Sequence, residues 1–193
     1  HADDQAETLL HNLLRGTGVR GAAAIPGRRD KFLRPFLRLG RGILKDYADA
    51  EGLQWIDDES NQDLKYTRNY LRARVLPTLR ERYPSASEQL AAAAERFGEA
   101  NQLLDDLALL DLAGNPPGFP LPMEILIELP ESRARNLLRA LLAWQGVQAP
   151  DEMRLREFLR QLRTVGNDKR PLLSLATYSL WCEKRQLNFK RSA

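Results

Sequence analysis

The chain has 193 residues, 43% hydrophobic and 28% charged, with a net charge of +3. That composition excludes wholesale disorder, which needs few apolar residues and a large net charge, and no uncharged apolar run approaches the roughly 18 residues of a membrane-spanning helix. One cysteine, Cys182, excludes an internal disulfide framework and any multi-cysteine metal site within these residues.

In chain order, Asp3 or Asp4 caps a helix running to about Arg15, with Leu9, Leu10, Leu13 and Leu14 on its apolar side and Gly16 and Gly18 ending it. Residues 16–31 hold four Gly and a Pro and read as a loop. Phe32–Leu37 reads as a short strand or extended edge, because Pro35 cannot sit in a central ladder. A helix is predicted from about Arg41 to Glu51, with Ile43, Leu44, Tyr47 and Ala48 on its apolar face and Gly52 as its C-terminal cap. Leu53–Ile56 reads as a short buried segment and residues 57–64 as a polar loop. Tyr66 to Leu76 is helical, with Tyr70, Leu71 and Val75 on one side and Pro77 starting the next turn.

The pattern then changes. Ser85-Ala86-Ser87-Glu88 has the form of a capping box. A long helix follows to about Leu112, with Leu90, Phe97, Leu104, Leu107 and Leu110 as core positions. Residues 114–122, with two Gly and four Pro, forbid regular structure. Met123–Leu129 reads as a strand. A helix over Glu131–Gln145 buries Leu137, Leu138, Leu141 and Leu142 and stops at Gly146. Asp151 caps another, with Leu155, Phe158, Leu159 and Leu162 at core spacing. Gly166-Asn167-Asp168 is a turn. Leu172–Leu175, Tyr178–Cys182 and Gln186–Phe189 form a small antiparallel meander, in which Cys182 is an inert packed thiol. The fold class is mainly α with minor β.

Charge is unevenly placed. Residues 20–45 carry eight basic side chains and only Asp30 as an acid, and residues 64–82 carry six against Glu81. Clustered cations suit a polyanion; a solvated Arg-rich surface fits composition equally well. Three constellations can carry chemistry. His1, Asp4 and Glu7 or Thr8 share a face at helical spacing. Two such carboxylates can hold an ammonium group or hydrated Mg²⁺, and the imidazole can contact phosphate; from spacing alone, acids complementing the helix dipole are the commoner case. Asp58-x-Ser60-Asn61 precedes Arg68-Asn69-x-x-Arg72, whose guanidinium forks suit carboxylate or phosphate, or salt-bridge an acidic loop. Arg15-Gly16-Thr17-Gly18, with Arg28, Arg29, Lys31 and Arg34-Pro35, offers a glycine turn beside cations, a pattern that is more often a helix stop. Trp55, Tyr66 and Tyr70 could stack on a flipped base, but their spacing favours core packing.

His1-Ala2-Asp3-Asp4-Gln5-Ala6-Glu7-Thr8, the Arg15–Gly18 turn, Arg34-Pro35, Asp58-Glu59-Ser60-Asn61 and Arg68-Asn69-x-x-Arg72 occur in one order. That series resembles the tRNA(Ile)-lysidine synthase family of bacterial N-type ATP-pyrophosphatases. Residues 1–82 carry the specific likeness, and residues 83–193 resemble the family's helical substrate-recognition domain more generally. The resemblance implies the tail of an α/β adenine-nucleotide-binding domain followed by a helical domain with a small antiparallel sheet. It implies ATP with Mg²⁺, L-lysine as co-substrate, and an isoleucine tRNA with a CAU anticodon as partner. ATP adenylates C2 of the wobble cytidine, and lysine then displaces AMP to give lysidine. Under this resemblance Asp4 and Glu7 grip the lysine ammonium groups, and His1 contacts ATP or the adenylated intermediate. Arg68 and Arg72 hold phosphate or carboxylate, while Asp58, Ser60, Asn61 and Asn69 order the loop. Arg15, Arg28, Arg29, Lys31 and Arg34 lie along tRNA phosphates. A related thiolating or amidating enzyme, or a non-catalytic RNA-binding helical module, would share parts of this pattern. With no initiator Met and no Ser-Gly-Gly-x-Asp-Ser phosphate loop, the chain is expected to be a cytoplasmic enzyme's fragment, inactive alone, with a homodimer left open.

Overall fold

The computed structural model describes residues 1–56, 63–164 and 171–192. The chain divides into two compact units, His1–Gln102 and Leu103–Ala193.

The first unit is built around α1 (Ala2–Leu14). Ala2, Ala6 and Leu9 are buried, at the i, i+4, i+7 spacing of one helical face. Gly16 ends α1 at φ +74; its N–H bonds to Leu13 O, and Thr17 N–H to Asn12 O. Such a paired closure needs the left-handed backbone that glycine adopts freely. Residues 16–31, expected to be wholly loop, contain α2 (Val19–Ala22) and β1 (Arg28–Arg29), which pairs in a short hairpin with β2 (Phe32–Leu33), the start of the expected strand. The expected strand to Leu37 stops before Pro35, which has no N–H for a ladder. α3 (Arg41–Ala50) forms as predicted and Gly52 closes it, yet none of its residues is buried.

α4 (Thr67–Tyr70), a π-helical segment (Leu71–Val75) and α5 (Leu76–Arg82) form one helical run. Pro77, expected to start a new turn, stands in the first turn of α5, and the helical run continues through it. Pro77 lacks an N–H and its ring crowds the carbonyl one turn back. Widening that turn accommodates it, and Leu76 N–H bonds to Leu71 O, five residues back. α6 (Ala86–Asp111) follows; its first half packs Ala94 with Leu9 and Ala22, flanked by Leu90 and Phe97.

Several expected core positions are exposed instead: Leu13 and Leu14 of α1, the whole Leu53–Ile56 segment, Tyr66 and Tyr70. Trp55 is half exposed, so none of the three aromatics read as core is one. Leu110 of α6 is 75% exposed, while Ala108 and Leu112 take the core positions.

In the second unit Met123–Glu128 is a helix, α7, not the expected strand. Met123 and Leu126 are its buried residues, a three-residue repeat that a strand would send to opposite faces. α8 (Glu131–Trp144) and α9 (Glu152–Thr164) bury the predicted leucines and Phe158. Gly146 (φ +70) ends α8, and the Asp151 carboxylate accepts Arg154 N–H at 2.8 Å to start α9. The sheet runs β3 (Leu121–Pro122), β6 (Gln186–Arg191), β5 (Tyr178–Glu183), β4 (Leu172–Ser174), all antiparallel. Tyr178, Leu180 and Cys182 alternate inward and join the helices in one core. Burial pushes the Cys182 thiol pKa up. The predicted Gly166–Asp168 turn lies outside the described residues.

Tyr178 carries a pH prediction. Its ring is fully buried and its hydroxyl donates to Gln148 O at 3.0 Å. Burial pushes its pKa from 10 to about 12. Folding favours the neutral phenol, so this contribution is complete below pH 10 and lost as pH rises through 12. Phenolate absorbance near alkaline pH should show one tyrosine titrating late, and Tyr178→Phe should remove that late phase. An unchanged late phase in the variant would assign it elsewhere.

Candidate active site

The first turn of α1 presents the acids. His1 is the N-cap: its Nδ1 accepts Asp4 N–H at 3.3 Å, and its own backbone nitrogen donates to Asp4 Oδ2 at 3.3 Å. Reciprocal bonding of this kind satisfies donors that a helix start leaves orphaned. Glu7 lies one turn on and is 1% exposed. Arg72, in the π-helical segment, grips it with both arms of its fork: Nε to Oε1 at 2.7 Å and Nη2 to Oε2 at 2.9 Å. The same Nη2 reaches Asp4 Oδ1 at 3.4 Å. Arg68 Nη2 stands 3.6 Å from Glu7 Oε2 and 4.0 Å from Asp4 Oδ1. The Glu7 hydrogen bond raises the Arg72 pKa against the opposing effect of burial, so the guanidinium stays charged.

The structure therefore brings together Asp4, Glu7, Arg68 and Arg72, residues more than 60 positions apart. Their formal charges cancel. Glu7 and Arg72 form the floor, while the Asp4 carboxylate and the half-exposed Arg68 guanidinium form a wet rim. A rim of this kind can offer an anion to an ammonium group and a planar fork to a carboxylate or phosphate within one small volume. Asn69 Nδ2 donates to Asp63 O at 2.9 Å, bracing the end of the preceding loop. Asp58, Ser60 and Asn61 lie outside the described residues.

A cleft of about 1020 Å³ lies between the 20–38 segment and the first half of α6. Arg20, Arg28, Arg34 and Arg38 line one side, and Glu88, Glu95 and Glu99 belong to α6; Arg38 is ion-paired with Glu95. Arg29 and Lys31 are exposed on the hairpin but do not line this cleft, and Arg15 sits beside His11 at the end of α1.

Two supporting residues escaped the sequence reading. The Gln5 amide makes paired bonds to Ile25, donating to its carbonyl and accepting its N–H, both at 2.8 Å. Asn12 Nδ2 donates to Gly21 O at 2.8 Å. Both tie the 20–38 segment to α1, and an amide side chain among mixed polar and apolar helix residues carries no sequence signal of its distant partner.

Comparison with known proteins decides the family. Residues 1–79 match the family profile described as a PP-loop domain, and residues 121–187 match the TilS substrate binding domain. The tRNA(Ile)-lysidine synthase of Pseudomonas putida is 46% identical over 188 residues, covering 91% of this chain and 44% of that protein. That of Aromatoleum aromaticum is 48% identical over 172 residues, covering 86% and 40%. The chain belongs to the tRNA(Ile)-lysidine synthase family. It spans about two fifths of the length of the curated relatives it matches. The four converging residues all lie in the PP-loop match, as does the 20–38 segment. The substrate-binding match runs from β3 through α7, α8, α9, β4 and β5 to the first two residues of β6. Among the described residues no helix is long and apolar enough to cross a membrane.

Proposed function

We propose that this chain is part of a cytoplasmic ligase that attaches lysine to the wobble cytidine of an isoleucine tRNA with a CAU anticodon, using ATP. Residues 1–82 supply part of the catalytic domain and residues 83–193 the substrate-recognition domain. The observation that carries the reading is the convergence of Asp4 and Glu7 with Arg68 and Arg72. A lysine substrate has two ammonium groups and one carboxylate, and the cluster offers both charges at matching scale. Asp4 meets an ammonium from the rim; Glu7, bound to Arg72, sets the field beneath it. Arg68 takes the lysine carboxylate or a nucleotide phosphate, and Arg72 offsets negative charge that grows as pyrophosphate leaves. His1 holds the turn and presents its ring toward the nucleotide. Asn69, with Asp58, Ser60 and Asn61, orders the neighbouring loop.

ATP supplies the adenylyl group that activates C2 of the cytosine. Arg68 is the more exposed of the cluster's two arginines and the one open to its phosphates, and Mg²⁺ enters only as their counter-ion. The arginines of the cleft, with Arg15, Arg29 and Lys31 on the surface beside them in sequence, follow the tRNA phosphates.

The test is direct. The full-length protein, given ATP, labelled lysine and a CAU-anticodon isoleucine tRNA, should incorporate label into the tRNA and release AMP and pyrophosphate. A methionine tRNA with the same anticodon should accept little. Equal labelling of both, or labelling of neither, sinks the proposal. Salt-sensitive binding to both without transfer would leave only phosphate contact.

A further inference from the structure

Asp3 is not among the residues proposed to meet substrate, yet both of its carboxylate oxygens are engaged. It adjoins Asp4 in the first turn of α1 and is 8% exposed. Oδ1 is ion-paired with Arg80 of α5. Oδ2 accepts the Arg41 N–H at 2.9 Å. That amide opens α3, whose N-cap residue Gly40 has no side chain with which to satisfy it. Arg80 donates onward to Ser87 Oγ at 2.6 and 3.2 Å, in the first turn of α6. A backbone bond from Ala2 N–H to Leu39 O, 2.7 Å, closes the same corner. One buried carboxylate thus links α1 to α3 and α5, and through Arg80 to α6.

The helical run Thr67–Arg82 is tied to α1 by ion pairs at two places: Arg68 and Arg72 meet Asp4 and Glu7 at one, and Arg80 meets Asp3 at the other. One place alone would leave a pivot. Two fix both the rotation and the slide of the run against α1, and those two freedoms set how Asp4 faces Arg68 and Arg72. We infer that Asp3 is a positioning residue for lysine: through Arg80 it holds the first turn of α1 so that the Asp4 and Glu7 carboxylates face the two guanidinium groups. The inference rests on the function proposed above.

The test uses the full-length enzyme at a temperature where circular dichroism shows each variant fully folded. Asp3→Asn keeps a neutral acceptor for the Arg41 amide but removes the charge that Arg80 pairs with. Its lysine KM should rise about tenfold, because misplacement of a binding group by a fraction of an ångström is felt at the reacting atoms. Its ATP KM should stay within about twofold. Arg80→Gln should reproduce the same split from the other side of the pair, and Arg80→Lys, which keeps the charge, should restore most of the lysine affinity. If Asp3→Asn does not fold, Arg80→Gln decides alone. A lowered melting temperature with an unchanged lysine KM in the folded variants would make Asp3 a purely structural residue and overturn the inference. A wild-type enzyme that forms no lysidine would sink the underlying function instead.

Discussion

Glu7→Ala in the full-length enzyme is expected to raise the lysine KM by about tenfold or more, and to destabilise the fold as well. The reason for the second effect is Arg72, whose guanidinium loses both of its short bonds to Glu7. Arg72 keeps about a third of its side chain in water, so the stability loss should be about 2 kcal/mol, below that of a fully buried broken pair. Arg72→Ala should cost more, roughly 3–5 kcal/mol, because the carboxylate that loses both short bonds is 1% exposed and keeps only the 3.6 Å contact with Arg68. Lysine at this position cannot reproduce two parallel bonds, so Arg72→Lys should recover only part of the loss. Denaturant titration ranks the three stabilities, and steady-state kinetics with lysine as the varied substrate gives the KM. An unchanged lysine KM in folded Glu7→Ala removes Glu7 from the site; equal stability of the Glu7→Ala and Arg72→Ala variants contradicts the burial argument.

The second large effect lies in the other unit. Phe158→Ala should destabilise by roughly 3–5 kcal/mol, since the ring is 2% exposed in the cluster formed by α7, α8, α9 and the sheet. Leu110→Ala is the paired control. Its side chain is 75% exposed, and surface substitutions of this kind stay within about 0.5 kcal/mol. Thermal melts of the two variants separate the outcomes clearly. A large loss for Leu110→Ala would mean that α6 packs on the face described as open.

This contrast shows where the sequence was legible. Leu155, Phe158, Leu159 and Leu162 repeat at helical spacing with charged residues between them, and only one face can be buried. The glycines at 16, 52 and 146 mark helix ends that the chain obeys. Leu110 carries the same leucine signal, but on α6 the buried positions are taken by alanines, Ala91, Ala94 and Ala108, whose small size leaves little trace in a hydrophobic pattern. Met123–Glu128 is a short aliphatic run, for which helix and strand periods both fit; what its flanks pack against decides. The acid and arginine motifs were legible as types and spacing. Their partners were not, because Arg72–Glu7 and Arg80–Asp3 join residues 65 and 77 positions apart, and nothing in local pattern encodes which cation crosses to which anion.

The widened turn ahead of Pro77 has a consequence for how this protein tolerates length change. An ordinary helix advances about 100° per residue. The widened turn already holds one residue more than an α-turn, so a deletion between Leu71 and Val75 is absorbed by reverting to α geometry, whereas a deletion in the α-helical stretch between Leu76 and Arg80 would swing Arg80 by more than a quarter revolution. Arg72 could then keep its grip on Glu7 while Arg80 turned away from Asp3, or the reverse, but not both. The α-helical stretch thus works as a phase setter between two anchor points, and single-residue insertions or deletions there should be far less forgiving than point substitutions on its outer side.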